Sequence, residues 1–329
     1  MSKLNMAVLG VSNIGGFCAK IMSEVHNINL IAVYDSNEEL AKETANRYGC
    51  RYYTDVKELA SDKDVEAVLL CVPDKYIRDN YKAVAESGKH ILMEKPFAKT
   101  VSECIEIKEL CEKNNIRLMV GQTSAFMPAA IITKERYKRG EIGDVIQFDI
   151  RHQMDKGVTE LLKGSTSIMF YLGVHDTYLI PYITGLKITK VYAQSVQKEH
   201  KYGEDCIIVN FTLENGAIGV IECGWHLPVN CPVFIFNYVI NGTKQTITAD
   251  TNFSGFEVYG DQYENITLDY YELNGRSIGP HTDELIHFAD CILNNREFIV
   301  NTDDAIDAVR VIEAVFESLK TDSPVKVVY

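Results

Sequence analysis

Met6-Ala7-Val8-Leu9-Gly10-Val11-Ser12-Asn13-Ile14-Gly15-Gly16 is the stretch on which the fold of this chain turns. An apolar strand runs straight into a turn spaced as G-x-G-x-x-G, with Ser12 in place of the second glycine. Glycines at such a turn permit a tight bend, close approach of backbone to a pyrophosphate, and close packing of helix on strand. The helix predicted to begin near Ile14 would point its positive end at those phosphates. The second apolar run, Leu30 to Tyr34, ends in Asp35, 25 residues past Gly10. A carboxylate there can accept hydrogen bonds from both adenosine ribose hydroxyls and would repel a 2′-phosphate. Asp35 could instead cap the next helix, but Ser36 or Asn37 can do that. Strand, glycine turn, helix, strand and acid in this order predict a dinucleotide site. It would hold NAD rather than NADP through Gly10, Ser12, Asn13, Ile14, Gly15 and Asp35.

Outward from this unit, short apolar runs keep alternating with helical patterns over the first ~120 residues, the signature of a parallel sheet with crossover helices. The runs are Met6 to Leu9, Leu30 to Tyr34, Arg51 to Tyr53, Ala67 to Val72, His90 to Met93 and Arg117 to Val120. Helices are expected to start near Ile14, Glu38, Lys75 and Val101, the last marked by a Thr100/Glu103 capping box. Pro128 and Gly140 bracket a further helix. From Asp144 strands dominate. Asn215-Gly216 and Asn241-Gly242 predict two hairpins, with 206–213, 218–223, 233–240 and 245–249 as antiparallel neighbours. One helix interrupts them at about 167–183, and two more follow at about 283–293 and 303–319. The fold class is therefore α/β. A doubly wound Rossmann domain over 1–123 precedes an α+β domain over 124–329 with a large, mostly antiparallel open sheet, whose last helices could pack back on the first domain.

Composition narrows the ligand. The 329 residues are 46% hydrophobic and 24% charged, with a net charge of −13. Such a balance argues against nucleic acid and anionic membrane surfaces, which need clustered cations, and leaves a small molecule as the expected ligand. No apolar run approaches the ~20 residues of a membrane-spanning helix, and the first residues form a strand rather than a signal peptide, so a cytoplasmic location is expected. Nine scattered cysteines read as buried reduced thiols, and the eight histidines show no metal-ligand spacing. No metal is expected.

At Glu94-Lys95-Pro96, within Ser87-Gly88-Lys89-His90-Ile91-Leu92-Met93-Glu94-Lys95-Pro96-Phe97-Ala98, the chain resembles the Gfo/Idh/MocA oxidoreductases, relatives of glucose–fructose oxidoreductase and inositol dehydrogenase. The likeness continues through Val120-Gly121, Phe126-Met127-Pro128, the Gly140-Glu141-Ile142-Gly143 turn, and Leu285 to Ile292 with the final helix. Lys95 follows the fifth strand at its carboxyl end, where ligands of open α/β sheets bind, and Pro96 biases it toward extended backbone. Its ammonium can stabilise negative charge on an oxygen passing between alcohol and carbonyl. The resemblance implies this role for Lys95, together with contact to the nicotinamide ribose. It implies further that Glu94 lines the nicotinamide end, that Val72 and Pro73 run under the adenosine side, and that Gln122 belongs to the cofactor site.

The resemblance also places His175 as the group that takes a hydroxyl proton, a task suited to imidazole. Tyr171, four residues earlier and so on the same helix face, stands where relatives carry aspartate. It could donate a hydrogen bond to substrate, act as the acid with Lys95 lowering its pKa, or mark impaired polyol oxidation. Ile77 and Ala125 are two more departures, at positions where relatives often carry histidine and arginine. The expected activity is hydride transfer between NAD(P) and a sugar, cyclic polyol or related carbonyl. The alternatives are a nucleotide-binding sensor without turnover, or a hydrolase or epimerase that recycles its NAD. The open sheet predicts a homodimer or homotetramer, the alternating apolar positions Phe234, Phe236 and Tyr238 being compatible with one face of the sheet meeting the core and the other a partner.

Overall fold

The computed structural model describes residues 2–72, 77–229, 231, 234–250, 257–259, 263–265 and 271–329. The chain divides into two compact units, Met1–Phe126 with Tyr270–Ala305, and Met127–Asp269 with Ile306–Tyr329.

The first unit is built on β1 (Leu4–Leu9), α1 (Asn13–Glu24), β2 (Ile28–Tyr34), α2 (Glu38–Tyr48), β3 (Arg51–Tyr53), α3 (Val56–Ser61), β4 (Ala67–Leu70), α4 (Ile77–Glu86), β5 (His90–Glu94), α5 (Val101–Lys113) and β6 (Leu118–Gly121). Its six strands are all parallel, in the order β3-β2-β1-β4-β5-β6. This is the doubly wound Rossmann order, with its switch point between β1 and β4. Strands buried on both faces need continuous apolar runs, and Met6 to Leu9 and Ala67 to Leu70 are accordingly buried throughout. Helix starts follow local chemistry. Asn37 accepts the N–H groups of Glu39 and Leu40 to open α2, and Thr100 accepts that of Glu103 at 3.2 Å to open α5.

The second unit begins with α6 (Pro128–Lys138), which Pro128 opens and Gly140 follows in the left-handed region at φ 69°. Next come β7 (Val145–Asp155), α7 (Gly157–Leu162), a π-helical turn at Met169–Gly173, α8 (Val174–Thr184), β8 (Ile188–Val196), β9 (Cys206–Leu213), β10 (Ile218–Leu227), β11 (Ile235–Gly242) and β12 (Thr246–Asp250). Two short pairs follow, β13 (Glu257–Tyr259) with β14 (Tyr263–Asn265) and β15 (Tyr271–Leu273) with β16 (Arg276–Ile278). Helix α9 (Pro280–Leu293), α10 (Thr302–Thr321) and β17 (Val325–Lys326) complete the chain. Of these, β15, β16 and α9 lie in the first unit.

The large sheet has the order β12-β11-β7-β10-β9-β8-β17 and is antiparallel except between β7 and β10. Two expectations need correction here. The strands β10 and β11 are not neighbours, because β7 lies between them, Ile150 pairing with Ile221 on one side and Tyr238 on the other. Hairpin signals are local and carry no information about a strand inserted from 70 residues upstream. Asn215-Gly216 does form the β9–β10 turn, with Gly216 at φ 87°. Asn241-Gly242, by contrast, belongs to the strand: Asn241 pairs with Thr246 and the Gly242 N–H donates to Gln245, which puts Thr243-Lys244 in the turn. Gly242 is required by a close approach, since a Cβ there would lie 2.2 Å from the Ile142 carbonyl oxygen. Among the described residues, no helix is long and apolar enough to cross a membrane.

Candidate active site

In the first unit, the turn after β1 has the features a pyrophosphate requires. Gly10 sits at φ 93°, and a Cβ on it would lie 2.5 Å from the Cys71 carbonyl oxygen. At Gly15 a Cβ would lie 1.8 Å from the Gly10 carbonyl oxygen, so α1 starts directly against the turn. The first turn of α1 carries no acid, and Ser12 at its N-cap makes no side-chain cap bond. The helix thus places no carboxylate of its own against an anion at that positive end. Ser12, Asn13 and Ile14 are exposed there, while Gly15 is buried. Val72 lies beside Gly10, its side chain 3.3 Å from the added Cβ position. Pro73 lies outside the described residues.

Asp35 follows β2 and holds the turn itself. Its Oδ2 accepts the Val11 N–H at 3.0 Å, and its Oδ1 accepts the Asn37 N–H at 2.9 Å. Helix α2 is capped by Asn37 instead. Carboxylate oxygens have about four acceptor sites, so these two bonds leave capacity for ribose hydroxyls. The residues present fit a dinucleotide.

Glu94 and Lys95 leave the carboxyl end of β5, on the same edge of the sheet as the glycine turn. Around them stand residues that the sequence pattern did not reveal. A point one Cβ out from Gly121 lies 3.4 Å from Glu94 Oε1 and 3.5 Å from Glu284 Oε2, so two acids from β5 and α9 converge over that glycine. Burial pushes the Glu94 carboxyl up, opposed by the Lys95 ammonium. Burial and the Glu94 charge push Glu284 well above the usual range, although it accepts the Gln122 backbone N–H. Gln122 is itself buried. Burial of both carboxyls, and the Glu94 charge acting on Glu284, favour the neutral acid form here. His281, at the start of α9, is pushed down to about 4 by burial and by the Lys95 ammonium, and packs edge-on against Phe17 at 5.6 Å. His281 and Glu284 lie nearly 190 residues from Lys95 in sequence, and only tertiary packing brings them together.

This geometry makes a prediction. A carboxyl whose folded pKa is raised stabilises the fold fully below its unfolded pKa of about 4.3 and loses that contribution as pH rises through the folded value. Glu284→Gln keeps an acceptor for Gln122 and abolishes the titration. Its stability relative to wild type should therefore improve between pH 5 and pH 8, by about 1.4 kcal/mol per unit of raised pKa removed. Thermal melts across that range check this; a constant difference would refute it.

In the second unit, Tyr171 lies in the π-helical turn and His175 in the first turn of α8. From Ile168 to Ile180 every residue is buried except these two, which share the one accessible edge of the segment. A π-helical turn is uncommon and often marks functional positions. Burial, then the Asp155 charge, push the Tyr171 hydroxyl up. Within its own unit Tyr171 thus stays protonated and is a donor, opposite in sign to a hydroxyl activated by a neighbouring cation. Trp225 of β10 meets the Tyr171 ring edge-on at 5.9 Å and is buried. Directly behind, His152 Nδ1 and Asp176 Oδ1 are 3.1 Å apart. Ala125 is completely buried in the short helical turn after β6, and the side chain of Ile77 lies outside the described residues.

Comparison with known proteins identifies the architecture. Residues 4–122 match the model of the oxidoreductase family with NAD-binding Rossmann fold, and residues 134–327 match its C-terminal alpha/beta domain. The chain belongs to this Gfo/Idh/MocA oxidoreductase family. It is an NAD-dependent enzyme by that membership. A scyllo-inositol 2-dehydrogenase (NAD(+)) of Bacillus subtilis is 26% identical over 98% of this chain and 96% of that protein. A 2,7-anhydro-N-acetylneuraminate hydratase of Escherichia coli is 22% identical over 75% of this chain and 68% of its own length. A Lactobacillus casei scyllo-inositol dehydrogenase solved with NAD(H) and scyllo-inositol superposes with a TM-score of 0.84 at 16% identity, covering 99% of both chains, a likeness of fold.

Proposed function

We propose that this oxidoreductase transfers hydride between NAD and a ring hydroxyl or carbonyl of a cyclic polyol or sugar, with inositols the first substrates to try. The reading is carried by Lys95, whose ammonium stands at the carboxyl end of the sheet whose first turn is shaped for a pyrophosphate. Bound NAD supplies the hydride chemistry. Lys95 bonds the substrate oxygen and stabilises the negative charge that develops there. His175 takes the hydroxyl proton, and Tyr171, kept protonated by its surroundings, donates to a neighbouring oxygen of the substrate. The relatives named as inositol dehydrogenases support the substrate class. Fluorescence titration with NADH followed by turnover on an inositol and ketose panel tests the proposal, and folded protein that binds no NADH would overturn it.

Discrimination against NADP rests on Asp35 in this reading. Asp35→Asn retains an acceptor for the Val11 N–H but removes the charge that repels a 2′-phosphate. The NADH-to-NADPH affinity ratio should fall about tenfold, roughly 1.4 kcal/mol. An unchanged ratio in the same titration would place the discrimination elsewhere.

A second reading is redox-neutral chemistry with recycled NAD, favoured by the relatives named hydratases. It predicts cofactor that stays bound through purification and no net NADH formation in turnover. In either reading the enzyme works in the cytoplasm as a homodimer or homotetramer joined through the large sheet. Exposed Ile208 and Ile218, on adjacent strands and the same face, support that contact.

A further inference from the structure

Beneath the edge that carries His175 lies a polar cluster sealed from solvent. Asp176 is 0% exposed. Its Oδ1 is 3.1 Å from His152 Nδ1, and its Oδ2 accepts the Cys223 thiol at 3.3 Å. Burial and the Asp176 charge push the Cys223 thiol well up, so it remains an S–H donor. A carboxylate buried this deeply persists only when its oxygens are paired, and here β7 and β10 each supply one donor. The bond to Asp176 fixes the His152 ring with Nδ1 as the donating nitrogen. Phe234 and Phe236 hold that ring at 5.0 and 4.9 Å between centroids. The His175 ring lies 6.0 Å away and is tilted by 45°.

We propose that His152 is a positioning residue for His175: Asp176 fixes the His152 ring, and that ring in turn sets the orientation and charge environment of His175. A residue used only for packing has no need of a buried acid behind it, and an apolar side chain between Phe234 and Phe236 would fill the space without desolvating a carboxylate. Among the described residues, the titratable groups around the two histidines include Tyr171 and Asp176 on the helical segment, Asp155 on β7 and Cys223 on β10. The inference rests on the reading of His175 as the proton-handling group, but its test does not require turnover.

The test is an NMR titration of protein labelled at histidine Cε1, with the His175 resonance assigned by its absence in His175→Asn. Asp176→Asn keeps the shape of the carboxylate and removes its charge, and the His175 midpoint should fall by about half a pH unit or more. His152→Gln removes the ring while keeping a donor for Asp176, and should shift the His175 midpoint and change its tautomer balance. His152→Phe serves as a third variant, and because it leaves Asp176 unpaired, folding is checked first by thermal melting. A His175 resonance that keeps its wild-type titration in folded Asp176→Asn and folded His152→Gln overturns the proposal. NADH titration of the same samples reports separately on the proposed function: cofactor binding with an unmoved His175 sinks only the positioning role, whereas absent binding sinks the oxidoreductase reading.

Discussion

Lys95→Ala is expected to lower kcat on the best inositol substrate by roughly 10²–10³-fold, the usual consequence of removing one donor from a developing oxyanion. The loss should fall on kcat and kcat/KM alike, because the ammonium is needed most where charge develops. NADH affinity should change far less, since the Gly10 turn and Asp35 hold the other end of the cofactor. The structure supplies a check that does not depend on substrate. His281 is pushed down to about 4 partly by the Lys95 charge, so removing that charge should raise its midpoint, while burial still holds it below the ordinary value of about 6.5. Lys95→Met, which keeps the aliphatic length, should behave as Lys95→Ala in both respects. If either variant retained more than a tenth of wild-type turnover, the oxygen would be polarised by another group. His281 would then be the first candidate, although a neutral imidazole is a weaker donor than an ammonium.

What could be read from the chain before its fold was known divides along the range of the forces involved. The glycine turn, Asp35, and the position of Lys95 after the fifth strand were legible because each depends on neighbours a few residues away or on the regular alternation of strand and helix. So was Thr100 as a helix cap. His281 and Glu284 were not, because nothing within α9 distinguishes an acid that will meet Glu94 from one that faces solvent. Asp283 is exposed and Glu284, its neighbour, is buried. The same holds for His152, which gains its meaning only from the pairing of β7 beside β10. Tyr171 and His175 were placed on one face by the α-helical period, and they do share the accessible edge, although the intervening turn is π-helical. The hairpin signalled by Asn241-Gly242 does form between β11 and β12, but its turn falls on Thr243-Lys244, two residues beyond the pair that signalled it.

Gly15→Ala should have the second large effect, and it separates steric demand from conformational freedom. Gly15 lies within α1, where alanine is ordinarily favoured over glycine by about 1 kcal/mol. Yet its added methyl would lie 1.8 Å from the Gly10 carbonyl oxygen and 3.1 Å from Cys71 Cβ. Helix and turn must separate by more than an ångström to relieve this, and the contact is backbone, which cannot rotate away. NADH affinity should fall at least 100-fold, about 2.7 kcal/mol, because the helix end and the turn would no longer face one anion together. Stability should fall by about 2–4 kcal/mol despite the better helix propensity. Gly216→Ala is the matched control: it sits at φ 87° with nothing within 4 Å of the added carbon, so it should cost about 1 kcal/mol of stability and leave NADH binding untouched. Equal losses of cofactor affinity in the two variants would mean that destabilisation alone explains the result. A loss confined to Gly15→Ala would tie binding to the contact between α1 and the turn, the contact that the spacing from Gly10 to Gly15 exists to allow.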